Sequence, residues 1–594
     1  MVNHSKPQVY QCLHRMIILE PGCFMNIKRL PYGVSNYKTI VQGNYVYVDK
    51  TAYIEKLENY HSPFLFFLRP RRFGKSLFMT VLQHYYDISE KDNFDTLFGN
   101  TYIGGHPTKE RNGYYILNFD FTGVTTDTKE QLEESFKNIT KIAFDTFISK
   151  YGLSVQYLQQ GSAANMLESF LADAGQKVDR PIYIIIDEYD HFANELLSFQ
   201  LELFRQSVSH TGFVRKWYEV LKKATKTIVN KIFATGVSPI TLDSLTSGFN
   251  IAKNITRNEL FHEMMGFTEE EVRGLVKAVA KSEINGREMD NLLDILKKNY
   301  NGYLFSENAG RRLFNSDMIL YYLQDYVEFG RGPDDLIDEN IASDYGKLGK
   351  MFELKNKDGN MEVLDRILKE EEIITQITKQ FSMEKDFSQD DFKSLLYYLG
   401  LLTIDKKILD SVSLKTPNYA IKGLYYQYYV KKLEEEMDYA IDTSDIKAAI
   451  RQIALEGSND RLVAILEKTL NKLSNRDYIK FDEKYVKLLL FSYCILSNVY
   501  MVKSEYEVEN GYIDIALLRR EPIEPAYFGI FEIKYIRQNE YRKQGQSLVE
   551  QKLHEAVKQI EKYNTSLELA KLPNLKKWVL VFAGDECVKN IEIQ

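Results

Sequence analysis

The chain of 594 residues is too long for a single hydrophobic core, and at roughly 150 residues per domain it divides into about three or four units. Its apolar content of 44% and charged content of 27% are those of a globular protein in water, and a net charge of −7 excludes a global basic field, so a nucleic-acid partner has to be held by a local patch. Four scattered cysteines (Cys12, Cys23, Cys494 and Cys587) exclude a disulfide framework or a paired-cysteine zinc site, and no apolar run approaches the ~18 residues of a membrane-spanning helix; the expectation is a cytoplasmic protein with no membrane partner.

Residues 1–25 have no clear hydrophobic period, and "MIIL" (16–19) is shorter than the roughly 7–15 residues of a signal-peptide core. They are expected to be an extension outside a folded unit that opens near "MNIKRLPYG". Short apolar runs bounded by breakers then occur at 64–68 (FLFFL), 114–121 (YYILNFDF), 182–187 (IYIIID) and 231–236 (KIFATG), with longer segments of helical spacing between them. Strands alternating with helices predict a mostly parallel sheet covered on both faces, which places ligands at the carboxyl ends of the strands.

The stretch "RPRRFGKSLF" (69–78) follows the first of those strand ends. Phosphate loops written GxxxxGK[ST] wrap phosphate oxygens with backbone N–H groups, reach the outer phosphates with the Lys, and hold Mg²⁺ with the hydroxyl. Gly74, Lys75 and Ser76 meet that pattern, whereas Arg69 stands where the first glycine is expected. "PIYIIIDEYD" supplies the partner acids such a site needs, Asp187 for the magnesium and Glu188 as general base, so ATP and Mg²⁺ are the expected ligands. Arg69, Arg71 and Arg72 are expected to neutralise phosphate charge beside the N–H groups of the helix start. Pro70 donates no N–H, which leaves the cradle one donor short.

"LPYGVSNY", "YVYVDKTAYI", "FLFFLRPRRFGKSLF", "IIIDEYD", "FATGVSPI" and "FTEEEV" occur in that order between residues 26 and 305. Together they resemble the predicted AAA-ATPase-like family of prokaryotic proteins, in which R-P-R-R-F precedes G-K-S/T, so Arg69 is the family's own spelling. The resemblance implies a polar sensor of the γ-phosphate after the next strand, where Thr235 and Ser238 stand. It also gives Arg257 a place as an arginine finger acting in trans, within a homo-oligomer.

From 306 to 455 the pattern is mainly helical. "DDFKSLLYYLGLLTIDKK" and "PNYAIKGLYY" read as a helix followed by two strands, a winged-helix-like piece, with an all-helical lid as the alternative. After 456 a second α/β unit appears: a helix at 483–497, strands near 499–508, 512–518 and 527–534, a helix near 548–563 and a strand at 578–583.

"GYIDIAL" puts Asp514 in a strand, and "FEIK" puts Glu532 and Lys534 two apart, hence on one face. Two carboxylates that hold Mg²⁺ and a lysine that positions the attacking water suit phosphodiester cleavage. Charges pointing inward from such apolar strands cost too much to be idle. Gln559 and Tyr563, four apart on a predicted helix, share a face and are expected to flank the site. With Glu505 or Glu507 in "SEYEVENGYID", the set resembles the PD-(D/E)XK nuclease family, although many relatives carry G-R-x-D where Tyr512 follows Gly511 here. Lys534, Arg537, Arg542, Lys543, Lys571, Lys576 and Lys577 are expected to track a phosphate backbone, of DNA ahead of RNA.

The expected fold class is α/β: an extension (1–25), an AAA-like P-loop parallel sheet with flanking helices (26–305), a helical or winged-helix-like connector (306–455) and a PD-(D/E)XK nuclease-like α/β domain (456–594). The expected function is ATP binding and hydrolysis joined to Mg²⁺-dependent nuclease activity, an architecture that suits defence against foreign nucleic acid. The alternative is a nucleotide-dependent switch whose C-terminal domain binds nucleic acid or protein without cleaving.

Overall fold

A computed structural model describes residues 28–193, 212–239, 249–280, 284–339, 342, 348–352, 356–381, 387–437, 441–474, 482–509, 511–563 and 565–593. The expected extension, 1–25, lies outside them. Strands β1 (Phe64–Leu68), β2 (Tyr115–Asp120), β3 (Ile182–Asp187), β4 (Val229–Gly236) and β5 (Lys253–Asn254) form an all-parallel sheet in the order β2-β3-β4-β1-β5. The first four are the apolar runs of the sequence, and β3 is buried along its whole length, as a strand covered on both faces must be. Because β1 and β3 flank β4, the phosphate loop and the acid pair open from strand ends on either side of it onto one crevice. The two-residue β5 has no apolar run to announce it.

In the middle segment β6 (Ile373–Thr375), β7 (Thr403–Ile408) and β8 (Ser411–Lys415) make an antiparallel sheet in the order β6-β8-β7, with the helix Gln389–Tyr398 ahead of the β7–β8 hairpin. A helix followed by a hairpin is therefore present, and the all-helical alternative is not. The second strand is misplaced in the sequence reading, however: "PNYAIKGLYY" opens the helix Tyr419–Met437. Asn418 caps that helix by accepting the Ile421 N–H at 3.1 Å, and Pro417 precedes it, a start signal that outweighs the β-prone tyrosines.

The C-terminal sheet runs β13-β12-β11-β10-β9, from β9 (Met501–Val508), β10 (Gly511–Leu518), β11 (Phe528–Ile536), β12 (Leu575–Ala583) and β13 (Glu586–Ile593). β9, β10 and β11 are an antiparallel meander; β11 and β12 are parallel, joined by the crossover helix Gln546–Tyr563. One face of the sheet, with Ala516, Ile530, Val579 and Val581, packs on Val549, Ala556 and Ile560 of that helix. The other face, with Ile515, Phe531, Ile533 and Leu580, joins an apolar core that continues through the middle segment to the N-terminal sheet. Among the described residues no helix is long and apolar enough to cross a membrane.

Candidate active sites

The phosphate loop leaves β1 at Arg69, whose N–H is held by Gly236 O on β4 (3.2 Å). Arg72 (φ 70°) and Gly74 (φ 85°) take left-handed backbone, which turns the chain into the helix Lys75–Tyr86; glycine adopts it without steric cost, arginine does not. At this helix N-terminus lies a 510 Å³ cavity whose polar lining includes Arg71, Lys75, Ser76, Thr122, Glu188 and His191. Ile40, Tyr47, Val48, Leu275 and Leu320 supply an apolar wall.

Lys75 is 4% exposed, donates to Pro70 O (3.2 Å) and stands 3.8 Å from Glu188 Oε1. The Ser76 hydroxyl donates to Asp187, whose carboxyl is pushed up to about 6 by burial and then by the neighbouring Glu188 charge. Glu188 sits in left-handed backbone (φ 51°), strain of the kind retained at functional sites. Lysine, hydroxyl and two acids thus meet at one end of the cavity, with free helix N–H groups beside them.

Four of the sequence assignments change. Arg69 is buried and turned away from the cavity: it donates to the carbonyls of Leu68, Thr256, Phe261 and His262, and its guanidinium lies between the rings of Phe67 and Phe305. It is an anchor for the loop, not a phosphate ligand. Thr235 is fully buried and donates to Phe67 O (2.7 Å), and Ser238 donates to the buried Asp190 (3.1 Å), so neither hydroxyl faces the cavity as a γ-phosphate sensor. Arg257 is forked onto Glu307 (2.8 and 3.3 Å), which removes it as a free arginine finger. Of the other two loop arginines, Arg72 pairs with Asp317 (3.0 Å) and Arg71 lines the cavity. Arg69→Met should cost about 3 kcal/mol or more by leaving buried carbonyls unpaired. A lowered Tm with nucleotide affinity unchanged in the folded variant is the expected result; lost affinity without lost stability would return Arg69 to the site.

In the C-terminal sheet, Asp514 on β10 and Glu532 on β11 are 5% and 1% exposed. Asp514 Oδ2 accepts the Ile533 N–H (2.7 Å), and Glu532 Oε1 holds Lys534 Nζ at 2.8 Å. Glu532 Oε2 is buried with no hydrogen-bond partner among the described residues. Burial raises both carboxyls, and the Asp514 charge raises Glu532 further. Two crowded, partly unsatisfied carboxyls are a donor set that a divalent cation relieves, so the residues fit a metal. Among the described residues no third His, Cys, Asp or Glu closes a cage around it.

Between the two glutamates offered by the sequence the register decides the geometry. Ile513 pairs with Tyr506 and Ile515 with Ser504, so Asp514 lies across from Glu505, while Glu507 lies across from Tyr512. Tyr563 donates to Tyr512 O (2.6 Å), and burial followed by the Glu532 charge raises its phenol. Gln559 is half-buried one turn earlier on the same helix. The expected basic track divides: Arg537, Arg542 and Lys543 follow the site end of β11, whereas Lys576 pairs with Glu592 (2.7 Å) at the far end of β12, roughly 15 Å along the strand from the level of Lys534.

Two features escaped the sequence reading. The stretches "LPYGVSNY" and "YVYVDK" had no chemistry assigned, yet Pro31, Gly33, Val34, Val46 and Lys50 line the nucleotide-sized cavity. Lys487, on the helix Glu483–Ile495, contacts Asp514 Oδ1 at 2.5 Å. Its signal was a lysine inside the buried run "VKLLLF".

The two sites are joined by packed side chains. Phe73 of the phosphate loop sits against Tyr303 (4.9 Å) and Phe305 (5.2 Å), and Pro70 abuts Gly400 so closely that a Cβ there would come within 2.8 Å. Tyr397 donates to Phe305 O (2.8 Å), and Tyr425 of the helix Tyr419–Met437 donates to Leu401 O (3.1 Å). That helix meets the one bearing Lys487 through Tyr426 and Phe491 (4.7 Å), and its Tyr419 binds the start of β9 at Tyr500 O and Val502 N.

Comparison with known proteins falls on the same two sites. The family described as Predicted AAA-ATPase matches residues 31–246, and the PD-(D/E)XK nuclease superfamily matches residues 481–592. An uncharacterized protein in the vnfD 5′ region of Azotobacter chroococcum mcd 1 is 27% identical over 299 residues, 50% of this chain and 52% of that protein. The chain thus spans about half the length of this curated relative. These matches, with the parallel P-loop sheet and the mixed sheet carrying Asp514, Glu532 and Lys534, identify the chain as one that joins a predicted AAA-ATPase-like domain to a PD-(D/E)XK nuclease-superfamily domain.

Proposed function

We propose that this chain is an ATP-binding, Mg²⁺-dependent nuclease in which the nucleotide state of the first domain governs cleavage by the last. The observation that carries the nuclease half is the buried Asp514–Glu532 pair beside Lys534, with one Glu532 oxygen left bare. Asp514 and Glu532 would hold the metal, with Glu505 at the rim. A divalent cation bound there would neutralise the scissile phosphate and acidify the attacking water. Lys534, on the same strand face as Glu532, would orient that water; as the water oxygen joins phosphorus and gives up its proton to solvent, the P–O bond to one sugar breaks and the departing sugar oxygen takes a proton from solvent. Tyr563 and Gln559 would fix the wall behind the pair, and Arg537, Arg542 and Lys543 would track the flanking backbone.

In the first domain Lys75 would meet the outer phosphates of ATP, Ser76 and Asp187 the accompanying magnesium, and Glu188 the attacking water, with Arg71 near the phosphates. Ile40, Tyr47, Leu275 and Leu320 offer an apolar wall suited to the base. The packed route from Pro70 and Phe73 to the Lys487 helix supports the link between the two.

Plasmid, linear DNA and RNA incubated with the full chain, with and without Mg²⁺, EDTA and ATP, test the reading. Cleavage that needs Mg²⁺ is expected, on DNA first. A protein that holds nucleic acid in EDTA and never cuts it in Mg²⁺ would be the non-cleaving switch.

A further inference from the structure

We infer that Lys487, whose ammonium bridges Asp514 and Glu483, competes with a divalent ion for Asp514 and is left on Glu483 alone when that ion binds. This rests on the metal-dependent reading above and adds a residue from outside the D…ExK set. Each carboxylate oxygen in the site has a distinct fate. Asp514 Oδ2 is taken by the Ile533 N–H (2.7 Å), and Glu532 Oε1 by Lys534 (2.8 Å). Glu532 Oε2 has no hydrogen-bond partner among the described residues, with the Tyr563 phenol close to the same carboxyl, and the remaining oxygen, Asp514 Oδ1, is held by Lys487 Nζ at 2.5 Å. A metal that uses both acids therefore meets an open oxygen on Glu532 and an ammonium on Asp514. An ammonium and a divalent ion brought onto one oxygen so deeply buried repel each other, so metal binding is opposed while Lys487 stays there.

The lysine has somewhere to go. Glu483, one turn earlier on the same helix, lies 3.1 Å from its ammonium, and the exposed Glu505 lies 3.6 Å away. Its flexible four-carbon stem can swing the charge outward while keeping an ion pair with Glu483. Lys534 cannot play this part, because it belongs to the strand that carries Glu532 and its charge faces the other carboxylate. Lys487 thus competes for Asp514: while it bridges to that acid it opposes a metal, and held by Glu483 alone it would leave the acid open to one.

The test is Mn²⁺ binding by calorimetry on the full chain without nucleotide, in an Asp187→Asn background that silences the phosphate loop. Lys487→Met should bind Mn²⁺ about tenfold tighter or more and show a larger Mn²⁺-induced rise in Tm. Glu483→Gln should weaken binding several-fold when Lys487 is present and have no effect in Lys487→Met, a coupling that a double-mutant cycle reads directly. Equal weakening in both backgrounds would mean that Glu483 acts only through its charge, and would overturn the proposal. So would unchanged or weaker Mn²⁺ affinity in a folded Lys487→Met. Should Lys487→Met fail to fold, an unaltered affinity in Glu483→Gln alone overturns the proposal. No Mn²⁺ binding in any form, with Asp514→Asn making no difference, would instead remove the metal-dependent reading beneath it.

Discussion

Asp514→Asn should reduce phosphodiester cleavage by about 10³-fold or more while leaving ATP turnover within a few-fold of wild type. The asparagine keeps the Ile533 N–H contact and the shape of the buried side chain, so the sheet is retained. What it removes is the charge that, with Glu532, makes the site attractive to a divalent ion. Lys534→Ala should have the same direction, because the ammonium beside Glu532 is lost. The proposed nucleotide site lies in a different sheet, which is why turnover there should be spared. Plasmid cleavage and phosphate release measured on the same preparations check both halves. Wild-type cleavage by Asp514→Asn would move the chemistry elsewhere in the chain.

The second large effect belongs to the phosphate loop. Lys75→Ala should abolish ATP binding: the lysine is buried at the helix start, Arg69 is anchored to carbonyls and Arg72 is paired with Asp317, and Arg71, which lines the cavity, does not occupy that buried position. Glu188→Gln should bind ATP and turn it over about 10²- to 10⁴-fold more slowly, by losing the base while keeping Asp187 and Ser76. Fluorescent-nucleotide titration and steady-state phosphate release separate these outcomes. Wild-type binding by Lys75→Ala would show that the loop is not the nucleotide site.

How far the sequence carries can be seen residue by residue. β1 to β4 and the C-terminal meander were legible because buried strands appear as apolar runs with breakers at their ends, and Glu532 and Lys534 were legible because strand alternation has a fixed period. β13 was not, since "ECVKNIEI" is a half-exposed edge with no apolar face of its own. Arg69 could not be read correctly from its place in a basic loop. Its direction depends on Thr256, Phe261 and His262, which lie nearly two hundred residues away and come to it only through the fold. Thr235 and Ser238 failed for a similar reason: a polar residue at a strand end satisfies buried partners as readily as it meets a ligand. Lys487 escaped because its meaning lies in Asp514, on another element: a lysine inside "VKLLLF" stands out from its buried neighbours but does not name its partner.

Pro70 and Phe73 pack on the connector, and the connector packs on the Lys487 helix, so the proposed nucleotide and metal sites share a continuous set of contacts. The most direct measurement is therefore the initial rate of nucleic-acid cleavage in Mg²⁺, with and without saturating ATP, for wild type and Lys75→Ala. The account predicts that ATP changes the wild-type rate and leaves the rate of Lys75→Ala unchanged. Equal wild-type rates with and without ATP, at concentrations where ATP binding is demonstrated, would contradict it and leave two activities that share only a chain.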